Sequence, residues 1–168
     1  MDESVAVRRG EPSDAKAIQE LVAAAYTKWI PVIGRLPIPM QADYAQAVLE
    51  DRFDLLIAGP DLAGLIETKF EAAHLLVVNV AVHPAFQGRG FGTRLLGQAE
   101  AIAAEAGLDR LRLYTHREYT ANLRLYGSLG YRVEREERYA GPGRTRDDDV
   151  TVHMVKDLAA DMAERRPA

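Results

Sequence analysis

The sequence predicts an α/β (α+β) fold, one mixed sheet sandwiched between helices in the order β-αα-βββ-α-β-α-ββ. Three observations predict it. Apolar residues recur at helical spacing over 18–29 and again over 95–106. Alternating segments separated by turn residues read as hairpin-linked strands on both sides of the second of these helices. The nearly all-apolar run Leu75 to Val82 reads as a strand covered on both faces. Strands linked by hairpins and mixed with helices must stack their apolar faces in layers.

Each element has its own signal. Val5 and Val7 alternate within a first strand, Ser4 to Arg9. Pro12-Ser13-Asp14 then punctuates, with Ser13 placed to N-cap a helix striped by Ile18, Leu21, Val22, Ala25, Tyr26 and Trp29. Pro31, Gly34, Pro37 and Pro39 predict a loop, and a short helix follows over Ala42 to Arg52. Strands at Phe53 to Ala58 and Leu62 to Phe70 flank the turn Gly59-Pro60-Asp61. In the second of them Leu65, Glu67 and Lys69 share one face, so Glu67 reads either as an exposed strand residue or as a functional one. The apolar strand stops at His83-Pro84, because proline supplies no ladder donor.

Gly92 to Ala106 is the strongest helix, with Leu95, Leu96, Ala99, Ile102, Ala103 and Ala106 on one stripe and Gly107 as its stop. Leu111 to Thr115 is a strand, Ala121 to Leu129 a short helix, and Gly130 its breaker. Tyr131 to Tyr139 and Val150 to Leu158 close the fold as a hairpin around the polar loop Gly141 to Asp149. With 168 residues, no internal repeat and no linker, the expectation is one domain over 1–158 and a frayed tail over 159–168.

Composition removes whole classes of function. A 48% apolar and 27% charged chain is built to fold as a globule. Its 21 Lys and Arg against 25 Asp and Glu, net charge −4, lack the basic field of a non-specific nucleic-acid binder. The absence of cysteine excludes disulfides, thiolate metal sites and a thiol nucleophile, and fits a reducing compartment. The start Met1-Asp2-Glu3 has the wrong charge for a signal peptide, and no run reaches the ~18 apolar residues of a membrane span. The expected location is cytoplasmic, with neither a membrane nor a nucleic-acid partner. Histidines 74, 83, 116 and 153 show no metal-ligand spacing, so no metal is expected. Gly127-Ser128-Leu129-Gly130 is not a nucleophile elbow.

The positive signal is Gln87-Gly88-Arg89-Gly90-Phe91-Gly92-Thr93, set between the apolar strand and the strongest helix. Glycines there let the backbone turn tightly, and the helix start presents unpaired N–H groups and the positive end of its dipole. Together these suit a phosphate or pyrophosphate, with Arg89 able to add a charge-assisted bond. An ordinary glycine-rich turn that binds nothing has the same composition. Neither common phosphate loop fits: Thr93 stands where a dinucleotide fingerprint needs glycine, and Thr93-Arg94 replaces the Lys-Ser/Thr of a nucleotide P-loop.

The pattern Gln87, Gly90, Gly92 resembles the Gln/Arg-x-x-Gly-x-Gly/Ala signature of the GNAT superfamily of acyl-CoA-dependent N-acyltransferases. The resemblance extends upstream through Asn79-Val80-Ala81-Val82-His83-Pro84. Downstream it takes in Leu111-Arg112-Leu113-Tyr114-Thr115 and the segment Asn122 to Tyr131, so that it covers Val5 to Leu158 with the same element order. It implies a mostly antiparallel sheet whose strand before the loop splays from its neighbour to admit a pantetheine arm. Backbone groups of Val80, Ala81 and Val82 would pair with that arm, and amides from Gly88 through Arg89, Gly90, Phe91 and Gly92 to Thr93 would hold the pyrophosphate of acetyl-CoA.

Acyl transfer to an amine asks for three further things. The ammonium must lose a proton before it can attack, the developing oxyanion needs a fixed donor, and the departing thiolate needs a proton. The resemblance implies a backbone N–H near Val80 as the oxyanion donor and Tyr126 as the acid, although Tyr126 also lies on an apolar stripe with Leu123 and Leu129. Asn122, one turn earlier on the same face, is assigned a coenzyme A contact. Relatives place that asparagine seven residues before the tyrosine, where this chain has Tyr119.

For the base, Glu67 is the candidate, acting through water, with Asn79 able to order that water but not to take a proton. His83 and His116 read as exposed turn and strand-end residues. Arg144 to Asp149 reads as a solvated turn whose Asp147 to Asp149 could meet a cation. Tyr26, Trp29, Ile30, Met40 and Tyr44 read as acceptor-side lining or as core packing.

The resulting expectation is an N-acetyltransferase moving an acetyl group from acetyl-CoA to a primary amine of a small molecule by direct attack. A protein N-terminus or lysine is the alternative acceptor. A non-catalytic acyl-CoA sensor is the alternative class, against which Tyr126 speaks. A transferase acting on charged tRNA is disfavoured by the net acidity. Relatives are often dimers, and a homodimer is compatible with the sequence, though no segment identifies an interface.

Overall fold

The computed structural model describes residues 4–143 and 147–159. Seven strands form one sheet: β1 Val5–Arg9, β2 Arg52–Ala58, β3 Asp61–Phe70, β4 Leu75–Val82, β5 Arg110–His116, β6 Arg132–Arg138 and β7 Val150–Asp157, in the order β1-β2-β3-β4-β5-β7-β6. All neighbours are antiparallel except β4 and β5. Helices α1 Ala15–Tyr26, α2 Ile30–Ile33, α3 Ile38–Gln41 and α4 Tyr44–Glu50 precede β2; α5 Phe91–Glu105 joins β4 to β5, and α6 Thr120–Ser128 joins β5 to β6. The expected mixed, mostly antiparallel sheet and its element order are observed.

Each face of the sheet has its own core. The stripe of α1 buries Ile18, Leu21 and Val22 against Phe53, Leu55, Leu65 and Ala81. On the other face α5 buries Leu95, Leu96, Ala99 and Ile102 against Leu56, Ile66, Leu75 and Leu111, and α6 adds Tyr126 to that core. No described helix is long and apolar enough to cross a membrane.

Local departures have local causes. Ser13 does not cap α1: residues Pro12–Asp14 form a 3-10 turn instead, because the Asp14 carboxylate takes the Glu11 N–H at 2.7 Å and pairs with Arg8 at 2.8 Å. The proline segment is not a plain loop. Pro31 and Pro39 sit in the first turns of α2 and α3, where a missing N–H costs nothing. The helix expected over Ala42 to Arg52 is shorter, capped by the Asp43 carboxylate on the Gln46 N–H, and Arg52 already belongs to β2. Of the expected tail, residues 160–168 lie outside the described residues, as do 144–146 of the polar loop.

Two irregularities set up the site. The parallel pairing of β4 with β5 lasts only from Leu75 opposite Leu111 to Val77 opposite Leu113, after which the two strands run on without pairing. At the same place β4 carries a bulge: Thr68 faces Val77 and Glu67 faces Asn79, leaving Val78 extra. Unbroken alternation would put Leu75, Val77, Asn79 and Ala81 on one face. The extra residue transfers Asn79 and Ala81 to the α1 face, while Val80 and Val82 pack toward α5.

Candidate active site

The split between β4 and β5 opens two cavities that meet inside the sheet. One, about 820 Å³ including the open solvent at its mouth, lies on the α1 side between Tyr26, Tyr44, Glu67, Asn79 and Tyr114. The other, about 910 Å³, lies on the α5 side along Val80, Val82, Gln87 and the start of α5. Three residues line both: Val80, Asn122 and Tyr126.

On the α5 side the glycine loop behaves as its composition suggests. Gly88 (φ +81°) and Gly90 (φ +78°) both occupy the left-handed region, where a Cβ is strained, and open space surrounds each. The first helical bond of α5 runs from the Arg94 N–H to the Gly90 carbonyl, so the amides of Phe91, Gly92 and Thr93 precede it and point out of the helix start. The Phe91 ring itself is buried beside Phe86. The Arg89 guanidinium lies over the Phe86 ring at 5.1 Å, and the Gln87 side-chain amide donates to the Val82 carbonyl at 3.3 Å, bracing the loop.

Beyond Val77 the β4 edge facing the split has no ladder partner. The His83 N–H bonds to the Ala63 carbonyl, so odd-numbered residues of this stretch use their backbone on β3. Val80 and Val82 therefore turn their N–H and C=O groups into the split. Tyr26 Oη lies 3.3 Å from the Val80 carbonyl oxygen, and the Val80 amide is aimed at the junction of the two cavities. Ala81, by contrast, is buried on the α1 face and lines neither cavity.

On the α1 side Asn79 is held from two directions. Tyr26 Oη donates to its Oδ1 at 2.7 Å, and its Nδ2 donates to Tyr44 Oη at 3.4 Å, which in turn donates to the Pro39 carbonyl at 2.6 Å. Glu67, opposite Asn79 in the ladder, is only 5% exposed and lines this cavity, so it is not a solvent-facing strand residue. Burial first, and then the neighbouring Asp51 carboxyl, push its pKa up to about 8. Tyr26 and Tyr44 are both core and lining, which resolves a choice that apolar spacing leaves open.

Two sequence expectations are corrected here. His116 is buried rather than exposed, and Asp149 is no solvated turn residue. Asp149 takes a bidentate pair from Arg35 (2.6 and 2.9 Å) and a third bond from His116 Nε2 at 2.9 Å. The Arg35 guanidinium also stacks on the Tyr139 ring at 3.6 Å. His116 Nδ1 accepts the Glu118 N–H at 3.0 Å, which places its proton on Nε2; burial lowers its pKa further, outweighing Asp149, so both ring nitrogens are occupied and neither serves as a base. His83 is likewise a turn residue, its Nδ1 accepting the Ala85 N–H. Tyr119 packs between Trp29 (4.6 Å) and His116 (5.3 Å). Nothing in local sequence announces this cluster, because its members come from four separate segments.

Comparison with known proteins agrees with the geometry. A family model described as "Acetyltransferase (GNAT) family" matches residues 16–131. Spermidine N(1)-acetyltransferase of Thermoplasma acidophilum is 30% identical over 90 residues, covering 54% of this chain; the match spans 56% of that relative's own length. Among solved structures, the ribosomal-protein-S18-alanine N-acetyltransferase of Escherichia coli superposes with a TM-score of 0.75 at 20% identity, over 92% of this chain and 94% of that one. The PaiA N-acetyltransferase of T. acidophilum, in complex with coenzyme A, gives a TM-score of 0.73 at 20% identity, over 92% and 99%. With the split sheet, the glycine loop and a family match over well more than half of its length, the chain belongs to the acetyltransferase (GNAT) family.

Proposed function

We propose that residues 1–158 act as one N-acetyltransferase domain, transferring an acetyl group from acetyl-CoA to a primary amine of a small molecule by direct attack in a ternary complex. The observation that carries this reading is the meeting of the two cavities at Val80, Asn122 and Tyr126. A loop suited to pyrophosphate lies along one cavity, and Glu67, a buried carboxyl that accepts a proton once ionised, lines the other. The likeness to a spermidine acetyltransferase supports a free amine as acceptor.

The residues fit coenzyme A. Amides from Gly88 to Thr93 would hold the pyrophosphate in the open space around Gly88 and Gly90, and the backbone of Val80 and Val82, which β5 leaves without a strand partner, would hold the pantetheine arm. Asn122 lines the wall where that arm enters the junction. Acetyl-CoA supplies a thioester, whose carbonyl carbon the amine attacks and whose sulfur leaves as thiol. In its ionised form, whose share grows as pH rises toward 8, Glu67 takes the first proton from the ammonium through water, and the Val80 N–H faces the charge that develops on the carbonyl oxygen. Tyr126 gives its proton to the sulfur. Burial pushes its hydroxyl well above the ordinary tyrosine range, and a thiolate alone is too weak a base to deprotonate it. The donation must therefore be coupled to recovery of a proton from the attacking nitrogen, making Tyr126 a relay from nitrogen to sulfur.

The direct test combines calorimetric titration of coenzyme A with thiol release from acetyl-CoA across a panel of primary amines. Wild type is expected to bind and to release thiol with at least one amine. Gly90→Val, which forces a β-branched residue into the left-handed region, is expected to weaken coenzyme A by at least about tenfold. Binding unchanged by that substitution would remove the loop from the site. Binding without thiol release from any amine would favour the sensor.

Glu67 also makes a pH prediction. Folded, it keeps its proton to about pH 8, against an ordinary value of 4.5. Between those values the folded state binds more protons than the unfolded one, so stability falls as pH rises, by up to about 1.4 kcal/mol per unit. Glu67→Gln lacks that contribution, so the variant should gain thermal stability relative to wild type as pH rises from about 5 to about 8. Strictly parallel pH dependence would mean that Glu67 titrates normally.

A further inference from the structure

We propose that the acceptor is a primary monoamine carried on an apolar or aromatic body rather than a polyamine, and that the lip of the acceptor cavity at Ile38 and Ala42 sets this choice. The inference rests on the acetyltransferase reading and narrows it to a substrate class.

The α1-side cavity is graded from end to end. Its deep part holds Tyr26, Glu67, Asn79 and Tyr126, each at most 8% exposed. Its lip is exposed and apolar, with Ile38 at 40% and Ala42 beside it; the exposed Leu36, at 43%, precedes them in the same segment. Among the described lining residues Glu67 is the only carboxylate, with Asp51 adjoining it. The remaining ionisable liners offer an ammonium nothing. Both faces of the Arg35 fork are spent on Asp149 and the Leu36 carbonyl, and the neutral His116 is engaged at both nitrogens. Asp149, the one other buried acid near this wall, is already neutralised by Arg35.

One ammonium therefore has a place: near Glu67, among Tyr26, Tyr44 and Tyr114, where its charge favours the ionised form of Glu67 and the electron-rich rings attract it. A second ammonium a few carbons along would lie against tyrosine and isoleucine, partly desolvated and with no carboxylate among the described lining residues to pair with it. An alkyl or aryl body in the same place would gain from burial against Ile38, Pro39 and Ala42.

The test uses the full chain at fixed salt and pH. We expect kcat/KM, read as thiol release, to be at least about tenfold higher for 2-phenylethylamine and 3-methylbutylamine than for putrescine and spermidine. Ile38→Asp places an acid at the exposed lip, where folding tolerates it, and is expected to narrow or invert the preference by about tenfold. A binding readout accompanies turnover: with coenzyme A present, the monoamines but not the polyamines should raise the unfolding temperature of wild type. Equal or better use of spermidine by wild type, or a preference unmoved by Ile38→Asp, overturns the proposal while leaving amine acetylation standing. If no amine releases thiol, the transfer reading fails, and the unfolding shifts still decide between monoamine and polyamine.

Discussion

Tyr126→Phe is expected to lower turnover about 100-fold while leaving the affinity for coenzyme A within about twofold. The substitution isolates one atom. The Tyr126 ring sits in the α5-side core, tilted against Tyr131 at a centroid distance of 6.0 Å, and phenylalanine keeps that packing. What disappears is the hydroxyl of a residue that lines both cavities, a hydroxyl whose acidity burial lowers. Such a group contributes little to folding and is free to engage a reacting atom. Rapid-mixing measurement of thiol release gives the answer: turnover within threefold of wild type would pass the acid role to water or to another residue. A proportional loss of coenzyme A binding would instead make Tyr126 a structural wall.

The second large effect is on stability. Asp149→Ala should cost about 3–5 kcal/mol, because it leaves Arg35, whose side chain is only 4% exposed, as a buried charge without its counter-ion and frees the His116 N–H as well. Burial works against the Asp149 charge, and the two Arg35 bonds with His116 more than offset it, holding the carboxyl below the usual range. The pair ties the segment between α2 and α3, which lines the α1-side cavity through Arg35, to the entry of β7. Arg35 and Asp149 stand 114 positions apart in the chain. Denaturant unfolding measures the loss; the double replacement Arg35→Met with Asp149→Leu should restore much of it, since no charge is then left buried. A single-variant loss below about 1 kcal/mol would mean that water reaches the pair.

What could be read from the sequence follows the range of the physics involved. The stripes of α1 and α5, the apolar β4 and the glycine loop are local patterns, and each occupies the place its spacing predicts. The short helices α2 and α3 were hidden by prolines that read as loop punctuation, although at a first helical turn proline is compatible with helix. Asn79 could not be assigned to a face, because the bulge at Val78 that turns it toward Tyr26 and Tyr44 leaves no compositional trace. Glu67 alternates with Leu65 and Lys69 in a way that fits either solvent or interior, and only packing by α1 and α4 decides. The burial of Asp149 and His116 was illegible for a different reason: charged and polar residues near a loop look solvated until a distant arginine is brought beside them.

The short parallel pairing of β4 with β5 has a consequence for how such a chain can change. Because the gap is opened by missing ladder bonds and not by small side chains, the groups it presents at Val80 and Val82 are main-chain groups that nearly every residue carries. Amino-acid replacement there alters the wall but not the hydrogen-bonding template. If coenzyme A binds as proposed, its recognition at this edge is insulated from point mutation, while the tyrosine-lined chamber across the sheet is written in side chains and can be retuned one position at a time.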